Sequence, residues 1–143
     1  MEAIIPYLTF GGNAREAFTF YADALKGSIV HMQTFGEVDP SVGADDKDRV
    51  MHAVLKAGGL TLMTSDTRCS DKAPQQGDMI SLSMNFTEEN TINDTFSALS
   101  EGATIIMPLQ DTFWNARFGI LKDKFGIQWM FNHDKPGNET SHS

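Results

Sequence analysis

The chain has 143 residues, 41% of them hydrophobic, which is one domain's length and enough apolar material for a real core. Its formal charge is −8, and Arg15, Lys26, Arg49, Lys56, Arg117 and Lys122 are scattered rather than clustered, so nucleic acid is not an expected partner. No run nears the roughly 20 apolar residues of a membrane span, the first residues lack a basic-then-apolar leader pattern, and the single Cys69 rules out an internal disulfide framework; a cytoplasmic location without membrane partners is expected.

In chain order, residues 2–10 read as a strand in which Ile5, Tyr7 and Thr9 alternate with Pro6, Leu8 and Phe10. Gly11-Gly12 breaks it. Asn13 with Glu16 has capping-box spacing, so a helix is expected to run to about Lys26, with Ala17, Phe20, Tyr21, Ala24 and Leu25 as its apolar stripe and Gly27 as its stop. Residues 28–36 read as a second strand. Residues 37–48 are polar and without period, and read as a mobile loop. Two strands, 49–57 and 60–65, flank Gly58-Gly59, a hairpin signal. Residues 66–78 link two halves.

The second half repeats the order. Residues 79–86 read as a strand, and Thr87 as the cap of a helix with Glu88 and Glu89 in its first turn. Its stripe is Ile92, Thr95, Phe96 and Leu99, and Gly102 ends it. Strands are expected near 104–107, 116–122 and 127–132, with a Lys-Phe-Gly turn at 124–126 and a polar tail that frays beyond residue 134. The halves, about 2–66 and 78–132, echo one another in residues. Val54-Leu55-Lys56 precedes a Gly turn as Ile120-Leu121-Lys122 does, and Ala24-Leu25-Lys26-Gly27 has its counterpart in Ala98-Leu99-Ser100-Glu101-Gly102. The expected fold is α+β: two β-α-β-β-β units forming curved, mostly antiparallel sheets around a cleft within one domain, residues 1–134.

Alternation then assigns faces. Ile5, Tyr7, Thr9, Thr61, Met63, Ser65, Met79, Ser81, Ser83, Gln128, Met130 and Asn132 are expected to line the cleft. Leu8, Phe10, Leu60, Leu62, Ile80, Leu82, Ile127, Trp129 and Phe131 are expected beneath the helices. A face of methionines, hydroxyls and amides without paired carboxylates suits a neutral or weakly polar ligand better than acid–base catalysis.

Certain segments carry a family resemblance: Tyr7-Leu8-Thr9-Phe10 before the helix with Phe20-Tyr21, the hairpin at 52–64, the run Phe113-Trp114-Asn115-Ala116-Arg117-Phe118-Gly119, then Asp123-Lys124-Phe125-Gly126 and Trp129. Over residues 3–132 the chain resembles the PhnB-like branch of the vicinal oxygen chelate superfamily, which includes glyoxalase I, bleomycin-resistance proteins and extradiol dioxygenases. That branch is also described as 3-demethylubiquinone-9 3-methyltransferase-like. The resemblance implies a homodimer with clefts lined by concave sheets. In metal-dependent members it implies His and Glu ligands at four strand positions, which align here with Ile5, Met63, Met79 and Met130. None offers the oxygen or imidazole donors, at about 2.0–2.2 Å, that a divalent ion requires, so no metal and no other cofactor is expected. The methyltransferase description finds no support in the residues either. Gly11-Gly12 lacks the further glycine of a nucleotide-binding turn, and the element order is not that of a parallel sheet.

Several residues keep two readings. His31 and His52 lie in strands that would bring them face to face if paired, as a base or as packed edge residues. His133 and His142 fall on the polar tail and read as solvated. Cys69 follows Arg68, which would lower its pKa, yet nothing around it completes a catalytic set. Trp114 and Arg117 serve either the cleft or a dimer contact. The candidate ligand cleft is thus Tyr7, Thr9, Met63, Met79, Ser81, Trp114, Arg117, Gln128 and Met130. The leading expectation is a metal-free small-molecule binding protein. The alternatives are an isomerase or lyase working in the same cleft without a metal, through His52, Tyr7 or Arg117, and a dimeric interaction domain.

Overall fold

The computed structural model describes residues 1–137. The chain divides into two compact units, the second beginning at Gln76. The first runs β1 (Tyr7–Phe10), α1 (Ala14–Ala24), β2 (Ser28–Thr34), α2 (Phe35–Val38), β3 (Val50–Ala57) and β4 (Leu60–Asp66). The second runs β5 (Leu82–Phe86), α3 (Glu89–Leu99), β6 (Thr104–Asp111), β7 (Ala116–Lys122) and β8 (Gln128–Asp134). Each unit holds one mixed four-stranded sheet, ordered β1-β4-β3-β2 and β5-β8-β7-β6. In both, the first strand pairs in parallel with the last and the remaining pairs are antiparallel. This is the expected α+β architecture of two β-α-β-β-β units, with a short extra helix in the first. Among the described residues no helix is long and apolar enough to cross a membrane.

In the first unit α1 lays Ala14, Ala17, Phe18, Tyr21 and Ala24 onto the sheet. Leu8, Phe10, Ala53, Leu55 and Leu62 answer from β1, β3 and β4. The stripe is rotated from the expected one, taking Phe18 in place of Phe20 and Leu25, because Ala14 and Phe18 sit one turn apart on the sheet-facing side. In the second unit Ile92, Thr95 and Leu99 of α3 are buried, and Phe96 meets Phe131 of β8 edge to face at 4.9 Å. A Cβ on Gly119 would lie 2.9 Å from the Phe96 ring, so that helix packs directly against the backbone of β7.

Helix ends depart from the sequence expectation. The Asn13 side chain makes no cap hydrogen bond. Instead Asp66 Oδ1, from the end of β4, accepts the N–H groups of Gly12 and Ala14 at 2.9 Å each, while Oδ2 accepts that of Val50 at 2.9 Å. One buried carboxylate therefore satisfies the helix start and pins β3. At α3 Glu88, not Thr87, is the N-cap residue, with no side-chain cap bond. The reciprocal capping box belongs to Thr34 and Glu37 at α2, a helix that opens the stretch read as a mobile loop. Beyond it, turn hydrogen bonds such as Asp46 N–H to Gly43 and Arg49 N–H to Asp46 organise that stretch. At the end of α1 the left-handed residue is Lys26, at φ 54°, rather than Gly27. Gly27 is needed for space: a Cβ there would meet the Lys56 carbonyl oxygen at 2.4 Å.

Several strand boundaries move. β1 and β5 begin later than expected, so Ile5, Met79 and Ser81 precede the strands and Met79 is 98% exposed; Ile80, expected in the core, is exposed as well. β6 runs on to Asp111 as an edge strand, with Pro108 accommodated among register shifts. β8 continues to Asp134 and carries His133 inside it at 6% exposure, its Nδ1 2.9 Å from the Phe86 carbonyl oxygen. The solvated reading of His133 is thereby corrected: parallel pairing of Phe86 with His133 extends the strand past its last apolar residue. His142 lies outside the described residues.

Candidate functional site

Among the described residues each sheet has one face under its own unit's long helix and one face that this helix leaves uncovered. In the first sheet the register sets Tyr7, Met63, Val54 and His31 side by side on the uncovered face. Thr9 with Ser65 and Gln33 with His52 lie next along the strands, and Thr61 with Lys56 on the other side. Not one is a carboxylate, in a chain of charge −8.

Three of these side chains join across the sheet. Tyr7 Oη lies 3.2 Å from His52 Nδ1, with the rings 5.9 Å apart and 20° from parallel. The His31 ring stands 5.9 Å from that of His52. Tyr7 on β1 thus reaches over β4 to β3, and β2 supplies the third ring. The pairing of β2 with β3 brings the two histidines together as the sequence anticipated. Tyr7 joining them could not be read from spacing, because it depends on β1 docking in parallel beside β4.

In the second sheet the equivalent row is Ser83, Met130, Ile120 and Met107. Gln128 Nε2 donates to Ser81 Oγ at 2.7 Å, and Asn132 Nδ2 to Asn85 Oδ1 at 3.2 Å. The Trp114 ring meets Phe118, which shares the uncovered face with Asn132, at 6.4 Å; Phe113 stands beside it at 4.9 Å and is 97% exposed. This face is amide-rich, with Lys122 beside Gln128 at one end and Asp134 beyond Asn132 at the other.

Arg117 sits on the other side. It pairs with His133 in the ladder, gives Nε–H to Asn93 of α3 at 2.8 Å, and gives Nη1–H to Asp111 at 3.1 Å. Arg117 thus reaches toward α3, while the Trp114 ring meets Phe118 on the other face of the sheet. Asp111 is shared with Lys135 Nζ at 2.9 Å, and the hydrogen bonds from Lys135, then Arg117, hold its carboxyl below the usual carboxylate range.

Cys69 also differs from expectation. Arg68 is drawn to Asp46, 3.6 Å away, and Asp46 accepts the Cys69 N–H at 2.8 Å. The hydrogen bond between thiol and Asp46 pushes the Cys69 pKa up, away from a reactive thiolate.

The four positions aligned with metal ligands do not suit a divalent ion. Met63 and Met130 occupy equivalent places, each beside the first strand of its sheet, and present thioethers. The same register makes Ser81, rather than Met79, the counterpart of Ile5, and its hydroxyl is engaged by Gln128. Among the described residues no three His, Cys, Asp or Glu side chains cluster so as to hold a metal. The glycine turn after β1 is equally ill suited to a nucleotide-like cofactor, since the N–H groups of Gly12 and Ala14 already belong to Asp66.

The fold is that of the glyoxalase/bleomycin resistance/dioxygenase proteins. A solved example from Nocardioides superposes with a TM-score of 0.57 at 16% identity, covering 100% of this chain and 91% of that one. A family model described as 3-demethylubiquinone-9 3-methyltransferase matches residues 2–131, and the chain belongs to that family, the PhnB-like branch. It is similar to protein PA1353 from Pseudomonas aeruginosa, 41% identical with a TM-score of 0.80, covering 94% of this chain and 99% of that one. It is 32% identical to protein YjdN of Escherichia coli K12 across 89% of this chain and 92% of that protein. A PhnB protein from Bacillus cereus is 27% identical with a TM-score of 0.78, covering 92% of this chain and 99% of that one.

Proposed function

We propose that this protein is a metal-free binder of small molecules that works as a homodimer and takes its ligand on the uncovered sheet faces, through Tyr7, Thr9 and Met63 in the first unit and Ser81, Gln128, Met130 and Trp114 in the second. The observation that carries the reading is the make-up of those faces. They combine thioethers, aromatic rings, hydroxyls and amides, the mixture of adaptable apolar wall and few oriented polar groups that ligand sites use. They offer no donor set for a divalent ion.

A thermal-shift screen of small metabolites and hydrophobic antibiotics tests it. A ligand present at 100 times its Kd stabilises the native state by about 2.7 kcal/mol, which a melting curve resolves. A dose-dependent rise in Tm with at least one compound is expected, and a flat response across the screen counts against binding. Elemental analysis of protein purified without chelators is expected to find far less than one Zn, Ni or Mn per chain; near-stoichiometric metal defeats the metal-free part.

A further inference from the structure

We infer that the uncovered face of the first sheet recognises a small, partly apolar organic acid by its acidic oxygen, with His52 as the cationic partner and Tyr7 as a second hydrogen-bond donor. This rests on the binding reading above and names the ligand class.

The argument begins with the hydrogen bond at 3.2 Å between Tyr7 Oη and His52 Nδ1. A neutral imidazole that accepts the phenol proton at Nδ1 carries its own proton on Nε2, so the pair offers one uncharged donor and the phenol none. A protonated imidazole donates from both nitrogens. Nδ1–H then bonds the phenol oxygen, which frees the Tyr7 O–H to turn outward, while Nε2–H is a second donor carrying positive charge. Protonation thus adds the released phenol as a second donor and places a charge on the pair, which an anionic oxygen matches better than a neutral one.

A second, independent feature points the same way. The face carries no Asp or Glu on any of its four strands, although carboxylates outnumber basic residues in the chain by 19 to 11. The groups facing His52 are Tyr7 from β1, Met63 and Ser65 from β4, and His31 and Gln33 from β2. Lys56 follows on its own strand. Glu37 of α2 interacts electrostatically with His31; its carboxylate already accepts from the backbone N–H and hydroxyl of Thr34. An arriving anion therefore meets imidazole, phenol and ammonium groups without a competing carboxylate on this face of the sheet. Met63 and Val54 supply the apolar floor.

Benzoate and its neutral analogue benzamide test this on the full chain by calorimetry and imidazole NMR. Benzoate is expected to bind about tenfold more tightly near pH 5.5 than near pH 8, since imidazole is the side chain that changes charge across that interval. The His52 ring signals are expected to move with it, and benzamide is expected to show no such pH dependence. His52→Gln should erase the pH dependence; Tyr7→Phe should lower benzoate affinity severalfold and keep it. Benzoate binding that is equal at both pH values, unchanged in folded His52→Gln, or undetectable at millimolar concentration overturns the inference. If neutral compounds still raise Tm in the screen, the binding reading survives that failure; if nothing binds, both fall.

Discussion

Trp129 donates its indole N–H to Asp123 Oδ2 at 2.8 Å, with both side chains buried. The other oxygen of Asp123 accepts the backbone N–H groups of Phe125 and Ile127 at 2.8 and 3.1 Å. One carboxylate thus shapes the β7–β8 turn and satisfies the largest side chain in the core. Asp123→Ala removes the acceptor of one buried and two part-buried donors and is expected to cost about 2–4 kcal/mol of stability. Asp123→Asn, which keeps one acceptor oxygen, should cost less. Urea unfolding curves compare the two, and equal midpoints for wild type and Asp123→Ala would refute the role.

The end of α1 supplies a paired test. Lys26 holds a left-handed backbone, so Lys26→Gly should stabilise by roughly 0.5–1 kcal/mol. Gly27→Ala forces a Cβ against the Lys56 carbonyl and Ala57 and should destabilise by about 1–3 kcal/mol. Gly43→Ala, with nothing within 4 Å of the added carbon, is the control and should be near neutral. Thermal melts of the three variants check the order.

The carboxyl of Asp111 titrates below the usual range because Lys135 first, and Arg117 second, donate to it. A carboxylate depressed in the folded state contributes stability above its unfolded pKa and loses it as pH falls through the folded value. Carbon-detected NMR should therefore place the Asp111 midpoint on the acid side of an ordinary aspartate. Lys135→Met is expected to raise that midpoint; an unmoved midpoint would show the ion pair to be inconsequential.

Dimer formation is proposed from the aromatic surface at the β6–β7 turn, where Phe113 is exposed and Trp114 partly so. Aromatic residues are enriched at interface cores. Sedimentation at micromolar concentration should give twice the 15.8 kDa chain mass, and Trp114→Ala should weaken association by about tenfold or more. A wild-type monomer rejects the dimer; an unchanged dimer in the mutant places Trp114 away from the contact.

The sequence by itself determined the repeated β-α-β-β-β order, the Gly58-Gly59 hairpin, the turn at 124–126 and the central residues of both helix stripes. These follow from periodicity and turn chemistry, which act over a few neighbouring residues. It also allowed that His31 and His52 would meet if their strands paired, and the rings stand 5.9 Å apart as diagonal neighbours. What needed the tertiary structure was everything that joins distant segments. Asp66 caps a helix 52 residues earlier in the chain, and Tyr7 meets His52 across an intervening strand. His133 is buried because Phe86 extends its ladder, and Arg117 turns from Trp114 toward α3. Met79 falls outside β5 although its neighbours continue the alternation. In each case the deciding quantity is a ladder register or a strand end, fixed by pairing between segments that local pattern treats as independent.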